Sequence, residues 1–174
     1  MSTVVEVSPP ETTEATSLSL PWADVTTGAA GSRVMTSQEL LQEASLDWDV
    51  AIRPLYRRMN DTSFVAHPRA KEVYRTDTEV SLGVVRGHYL PWSNREAFSP
   101  WDAMAASGEG TWREAGSQRN GSRVFMTMKL GEFVLDDDPY DYYLFIGVGH
   151  DGYVAIYPSM VPIRQAGLTH NVIG

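Results

Sequence analysis

Cysteine is absent from the 174 residues of this sequence, which excludes disulfides, thiolate zinc sites, iron–sulfur clusters and cysteine nucleophiles. No apolar run approaches 18 residues, so no transmembrane helix is expected. The first residues, MSTVVEVSPPETTEATS, carry acids where a secretory signal peptide needs bases, and they lack a long apolar stretch. Together these absences predict a cytoplasmic protein.

The motifs of common catalytic and metal sites are also missing. The four histidines have neither H-x-x-H nor H-x-x-x-H spacing, and they are His67, His88, His150 and His170. A G-x-S-x-G nucleophile elbow is absent, and DDDPYDYY lacks the alternating ligands and distal Glu of a calcium loop. The pair His150-Asp151 resembles part of a metal-dependent phosphohydrolase signature, but without its partners it is interpreted as a turn. We therefore expect no enzyme activity, no metal and no cofactor.

One glycine pattern, in YYLFIGVGHDGYVAIYPS, has the form G-x-G-x-x-G through Gly147, Gly149 and Gly152. A dinucleotide site needs a helix after these glycines, because the helix N-terminus receives the pyrophosphate. The residues that follow are β-branched or aromatic and include Pro158, so they favour a strand. The pattern therefore predicts a hairpin with Asp151-Gly152 at or near its turn.

The net charge of −8 is unevenly distributed. Residues 1–32 hold four acids and no base, and residues 130–174 hold six acids and one Arg. A basic strip lies between them, formed by Arg53, Arg57, Arg58, Arg69, Lys71 and Arg75 against Asp61 and Glu72. The acidic total argues against a nucleic-acid partner, although a local basic strip can override it. The other interpretation is one solvated face of a sheet.

Residues 1–32 are rich in Ser, Thr, Pro and Glu, and we expect a flexible acidic arm. Trp22 in this arm is a residue that can dock on the body or on a neighbouring subunit. The first helix is predicted from Thr36, because Glu39 completes a capping box. A second helical region begins after Ser93 and restarts at Pro100.

Strand signals surround the helices. Alternation in WDVAIRPLYRR indicates a strand, and its Pro54 indicates an edge position or a bulge. MNDTSFVAH and the stretch from KEVYRT to VSLGVVRGHY predict two hairpins. Asn120-Gly121 predicts another between TWREAGSQ and SRVFMTMKL, with GEFVL extending the second strand. DDDPYD is expected to be an exposed acidic loop.

These elements predict an α+β fold over residues 33–174, forming one domain. We expect a mostly antiparallel sheet of about six to nine strands, covered on one face by two short helices. The predicted core consists of Leu40, Leu41, Trp48, Val50, Ile52, Val84, Phe98, Val124, Phe125, Leu144, Ile146 and Ile156. Exposed sheet edges make self-association a further expectation.

An interaction surface is predicted from the basic strip and nearby aromatics. An exposed aromatic beside Arg can stack an unpaired base or anchor a protein interface, and core packing is the alternative for each. The candidate residues are Trp22, Arg53, Tyr56, Arg57, Arg58, Arg69, Lys71, Arg75, Trp92 and Trp101.

The order of four segments resembles a known family. They are LLQEASLDWDVAIRPLY, YRTDTEVSLGVVRGHYLPWSNREAF, WREAGSQRNGSRVFMTMKL and YYLFIGVGHDGYVAIYPSMVPIR, within residues 35–165. The series is similar to the phage/plasmid-like family of uncharacterised proteins, which occur on bacteriophages, plasmids and actinobacterial chromosomes. Members usually continue into a long helical region, whereas QAGLTHNVIG follows Arg164 here. The resemblance implies a phage or mobile-element origin and a bacterial host cell, without implying a reaction.

Two hypotheses for function follow. The first is a non-enzymatic accessory protein that binds a host or phage protein, as an inhibitor, modulator or assembly factor. The acidic total, the Trp22 arm and the lack of a catalytic set favour it. The second is a single-stranded DNA binding or annealing protein of phage recombination or replication, favoured by the basic strip and its aromatics.

Overall fold

The computed structural model describes residues 25–29 and 34–165. Its strands are β1 (Val25–Ala29), β2 (Val50–Arg58), β3 (Phe64–Arg75), β4 (Ser81–Arg86), β5 (Thr111–Gln118), β6 (Arg123–Leu135), β7 (Asp138–Gly149) and β8 (Tyr157–Arg164). Its helices are α1 (Ser37–Glu43), α2 (Asn94–Phe98) and α3 (Asp102–Ala106), with short 3₁₀ turns at Ser99–Trp101 and Arg119–Gly121. Residues 25–29, which lie within the predicted arm, thus contribute a strand.

The α+β class is confirmed, but the prediction of one sheet is wrong. A five-stranded antiparallel sheet has the order β1-β5-β6-β7-β8, and a separate three-stranded antiparallel sheet has the order β2-β3-β4. The helical region at residues 94–106 connects β4 to β5 and carries the chain from one sheet to the other. The sequence pattern indicates hairpins, but it contains no signal for which hairpins join the same sheet.

Both predicted capping boxes are present. The side chain of Thr36 accepts a hydrogen bond from the backbone N–H of Glu39, whose carboxylate accepts from the Thr36 backbone N–H in return. Ser93 and Glu96 repeat this arrangement before α2. Pro100 lies in the 3₁₀ turn that separates α2 from α3, where its missing N–H is not needed. The interruption predicted at this proline is confirmed.

One carboxylate ties the helices to the five-stranded sheet. Asp102 at the start of α3 accepts hydrogen bonds from the backbone N–H and the hydroxyl of Ser37, each at 2.7 Å. It also accepts from the indole Nε1 of the fully buried Trp112 on β5, at 2.7 Å. α1, α3 and β5 therefore share one polar contact through Asp102.

A single apolar cluster joins both sheets and the helices. It includes Leu40 of α1, Phe98 of α2, Ile146 of β7 and Val73 of β3. The predicted core residues are buried or packed against this cluster, with one exception. Val84 is 58% exposed, so its assignment to the core is wrong.

The reason for the Val84 error is a bulge in β4. Ser81 lies opposite Tyr74 and Gly83 lies opposite Val73, so Leu82 has no partner residue on β3. An extra residue shifts the alternation of the strand by one position. Leu82 and Val85 consequently face the core, and Val84 faces outward.

The acidic stretch after β6 is also different from the prediction. It is a two-residue turn and not a loop, because Leu135 pairs with Asp138 and the chain continues directly as β7. Asp136 and Asp137 have φ values of 51° and 65°, as a type I′ hairpin turn requires. Asp138 forms an ion pair with Arg164 within the sheet.

Prolines occupy two of the sheet edges. β2 is an edge strand of the three-stranded sheet, and its register with β3 shifts just after Pro54, so both features expected of that residue are present. β8 is an edge strand of the five-stranded sheet and contains Pro158 and Pro162. Proline lacks an N–H, so these edges are poor templates for adding a further strand.

Candidate functional site

The glycine-rich segment is a structural turn. β7 ends at Gly149, residues 151–153 form a bend, and the chain returns antiparallel as β8, with Gly147 opposite Tyr157. No helix opens at Tyr153, so the helix N-terminus that a pyrophosphate needs is missing from this segment. The predicted hairpin is confirmed.

The turn is a junction between the two sheets. A Cβ on Gly83 of β4 would lie 2.7 Å from the Cα of Asp151, and a Cβ on Gly152 would lie 2.7 Å from a methyl of Val85. Gly152 also has a φ of 78°, which side chains rarely adopt. The backbone N–H of His150 donates to the carbonyl of Ser122 at 2.8 Å. These glycines thus permit a close backbone contact and do not form a ligand cradle.

His150 at this turn is fully buried. Asn94 donates its Nδ2 to the carbonyl of Leu46 at 2.8 Å, so its Oδ1 faces Nε2 of His150 at 2.9 Å. This arrangement requires the proton of the neutral imidazole to lie on Nε2. Burial lowers the pKa of His150 to about 4, and the nearby charge of Asp151 only partly opposes this effect. His150 is therefore a neutral residue of the core at physiological pH.

The carboxylate of Asp151 organises the surface side of the turn. It accepts hydrogen bonds from the backbone N–H of Tyr153 at 3.0 Å and from Nε of Arg123 at 3.2 Å. Arg119 lies 3.9 Å away as a second cation. The acceptor positions of Asp151 are thus occupied by groups of the chain, as expected for a structural carboxylate.

Two shallow clefts flank this junction and share Tyr89. The first, of about 340 Å³, is lined by Tyr89, Leu90, Trp92, residues 148–150 and residues 154–156. The second, of about 510 Å³, lies between residues 84–86 and residues 151–153. Trp92, one of the predicted interaction residues, is half exposed at the rim of the first cleft.

A second feature is the end of the β2–β3 hairpin. β4 pairs with β3 only from Ala70 to Tyr74, so residues 55–69 continue as two strands without a third. From here on, we call residues 55–69 the arm, which is a different segment from the flexible acidic arm predicted for residues 1–32. Its residues from 56 to 69 are exposed, apart from the half-buried Ser63. Asn60 orders the turn, because its side chain accepts from the backbone N–H groups of Thr62 and Ser63 at 3.1 and 2.8 Å.

The arm presents apolar and cationic side chains together. Tyr56 lies opposite Ala66 and Arg58 lies opposite Phe64, so these four share one face. Tyr56 and Phe64 are each 62% exposed. Arg57, opposite Val65, is on the other face. The sequence-based prediction found Tyr56, Arg57 and Arg58 but missed Phe64.

The exposed Met59, Phe64 and Val65 give no clear signal in the sequence. In a strand that covers a core, alternation distinguishes the inner from the outer face. The arm has no core on either side, so its apolar residues look like ordinary strand residues. Only the pairing of β3 with β4, which stops at Ala70, shows that they are exposed.

The basic strip is divided by the fold. Arg53 lies on the outer face of the three-stranded sheet, paired with Glu72 and Glu79, and its guanidinium is 4.3 Å from the ring centroid of Tyr74. The hydrogen bond to Glu72 is the main reason why the pKa of Arg53 is raised. Arg75 is on the opposite face, because it lies opposite Val50, and the structure does not bring it together with Arg53.

Arg75 and Trp101 serve packing contacts. The guanidinium of Arg75 is 4.4 Å from the ring centroid of Trp48 and forms a 2.7 Å ion pair with Asp77. Trp101 packs against the apolar core from the 3₁₀ turn before α3. Trp22 lies outside the described residues.

The remaining cations belong to the arm or its base. Arg58 pairs with Asp61 at the end of the arm. Among the described side chains, no carboxylate forms an ion pair with Arg57, Arg69 or Lys71. Of the predicted residues, the structure places Tyr56, Arg57, Arg58 and Arg69 on the arm and Lys71 at its base, with Phe64 on the same arm.

Residues 25–29 and 34–165 contain no group of three or more His, Asp or Glu arranged to hold a metal ion. In the same part of the chain, no helix is long and apolar enough to cross a membrane.

Comparison with protein families gives a match over part of the chain. Residues 81–166 match the family model of a domain of unknown function, DUF932. The match begins at β4 and therefore includes the turn at His150 but not the arm. No curated protein and no solved structure matches the chain.

Proposed function

We propose that this protein is a non-enzymatic, cytoplasmic accessory protein of bacteriophage type, which uses the arm to bind a host or phage protein. The observation that carries this proposal is the exposure of Tyr56 and Phe64 on a two-stranded extension that no other described sheet, helix or loop covers. Exposed aromatics beside Arg are typical anchors of protein interfaces. The resemblance to phage/plasmid-like proteins supports the origin.

The chemistry of the arm indicates the kind of surface it fits. Its apolar side chains need an apolar depression, and Arg57 and Arg69 favour carboxylates around that depression. At the turn, Nε2 of His150 and the carboxylate of Asp151 are bonded within the chain, and Nδ1 of His150, which has no partner among the described residues, is buried. We therefore place binding at the arm and a structural role at the turn.

A pull-down from phage-infected cells tests the proposal. The wild-type chain should retain one major protein, and the double variant Tyr56→Ser with Phe64→Ser should lose it. Tyr153→Ser with Val80→Ser removes two exposed apolar side chains outside the arm and serves as the matched control. Equal retention by the arm variant and the control would contradict the proposal.

Single-stranded DNA binding is the second candidate. The observation in its favour is that Arg57 and Arg69 have no carboxylate partner among the described residues and flank exposed aromatics, which suits backbone contact and base stacking. Affinity for an unpaired oligonucleotide should then fall steeply with salt, and Arg57→Ala with Arg58→Ala should weaken it. Absence of binding at low salt would eliminate this candidate.

A further inference from the structure

A second exposed hairpin end has the opposite charge to the arm. Residues 132–138, which we call the acidic tip, join β6 to β7 and carry Glu132, Asp136, Asp137 and Asp138 without a cation. Nearby cations reach only part of this set, because Lys129 pairs with Glu132 and Arg164 pairs with Asp138. Asp136 and Asp137, in the turn itself, have no ion-pair partner among the described side chains.

The acidic tip also exposes apolar side chains. Val134 is 70% exposed and Leu135 is 53% exposed. Phe133 stacks on Tyr140 with ring centroids 5.3 Å apart, which stiffens the two strands behind the turn. The acidic tip thus offers an apolar surface rimmed by carboxylates, which is the surface chemistry that the arm requires.

The arm and the acidic tip share no ion pair or hydrogen bond within one described chain. The arm belongs to the three-stranded sheet and the acidic tip to the five-stranded sheet. Within the described residues, no ion pair or hydrogen bond connects residues 55–69 to residues 132–138. The arm carries three arginines against Asp61, and the acidic tip carries four acids, so their charges are complementary.

From this complementarity we propose that the arm of one copy docks on the acidic tip of a second copy. The inference rests on the proposed function, since it names a partner for the same arm. A single arm–tip contact leaves a free arm on one copy and a free tip on the other, and these either meet in a symmetric dimer or bind further copies. Such contacts build rings or open chains of subunits.

The contact is weak by this account. Each hairpin end supplies few residues, and small interfaces are typical of transient complexes. The net charge of −8 also makes two copies repel at long range. At about 0.1 M salt the screening length is about 10 Å, so this repulsion is reduced while direct ion pairs between the hairpins remain.

Sedimentation velocity at about 0.1 M salt, over micromolar to millimolar protein, tests the inference. The wild-type chain should associate as its concentration rises. Arg57→Glu removes the arm's complementarity, and Asp136→Asn with Asp137→Asn removes that of the acidic tip while keeping side chains that accept a positive φ. Each variant alone should dissociate at least about tenfold more readily than the wild type.

A mixture of the two variants gives the most specific test. The Asn variant retains its arm and the Arg57→Glu variant retains its acidic tip, so an equimolar mixture should form dimers and stop there. Arg86→Glu and the pair Asp49→Asn with Glu109→Gln make the same charge changes at exposed positions elsewhere, and both should associate like the wild type.

Three results would overturn the inference: a wild-type monomer throughout, a mixture that stays monomeric, or controls that dissociate like the variants. A monomeric wild type whose arm still retains another protein in the pull-down would leave the proposed function standing. A chain that self-associates but retains no other protein would contradict the proposed function and leave this inference standing. Circular dichroism of every variant checks that each is folded.

Discussion

The turn at residues 150–152 and the arm at residues 55–69 both connect antiparallel strands, and both contain a histidine and an arginine-bound aspartate. Around the turn, His150 is bound by Asn94, and two glycines, Gly83 of β4 and Gly152 of the turn itself, allow the backbones to come into contact. Residues 56–69 of the arm are exposed in the described structure, except for the half-buried Ser63, and Asn60 bonds only within the arm's own turn. The same residue types thus serve folding in one place and remain available for binding in the other. Burial, more than motif, decides between these roles.

The largest expected effect is a pH dependence of stability caused by His150. Its pKa is about 4 in the folded chain and 6.5 in the unfolded chain, so both states are neutral above pH 6.5. As the pH falls below 6.5, His150 of the unfolded chain becomes protonated, whereas His150 of the folded chain stays neutral until about pH 4. Stability should therefore fall by about 3 kcal/mol between these pH values.

Urea unfolding of the wild type and of His150→Gln from pH 7 to pH 4 measures this loss. The Gln amide can donate to Asn94 but does not titrate, so the variant should lack this part of the dependence. Parallel pH profiles for the two proteins would show that His150 is not buried in its neutral form.

The next effect concerns the close approach of β4 to the turn. Gly83→Ala places a Cβ 2.7 Å from the Cα of Asp151, a backbone atom that cannot move aside alone. The free energy of unfolding should fall by about 2 kcal/mol. Gly87→Ala is the matched control, because a Cβ there has open space, and it should change stability by less than about 1 kcal/mol. Equal values for the two variants would show that the sheets do not meet at the turn.

The local features of the fold could be predicted from the sequence, whereas the contact between the two sheets could not. The capping boxes at Thr36 and Ser93, the restart at Pro100 and the turn at Gly152 were all predictable, because each depends on residues that are neighbours in sequence. The contact between Gly83 and Asp151 was not predictable, since it depends on how two sheets approach each other.

The errors have the same origin. Val84 was assigned to the core because an unbroken strand alternates, and the bulge at Leu82 breaks that alternation. The separation of the two sheets and the exposure of Phe64 follow from which strands pair, and pairing is a long-range property. For the candidate site, the cations of the arm and Tyr56 were found from sequence, and Phe64 was not.

The smallest expected effect is at the arm. Tyr56→Ser with Phe64→Ser removes exposed side chains that cover no core, so the free energy of unfolding should stay within about 0.5 kcal/mol of the wild-type value. Urea unfolding at pH 7 measures it. A loss of 2 kcal/mol or more would mean that the arm packs against the body and is not free for binding.

Hydrogen–deuterium exchange of the protein alone and with its bound partner tests the division of roles most directly. Backbone amides that become covered by a partner exchange more slowly in the complex. The account predicts new protection in residues 55–69, with exchange at residues 148–156 unchanged. New protection at residues 148–156 and 89–92, with the arm exchanging as before, would contradict it and place binding at the clefts beside His150.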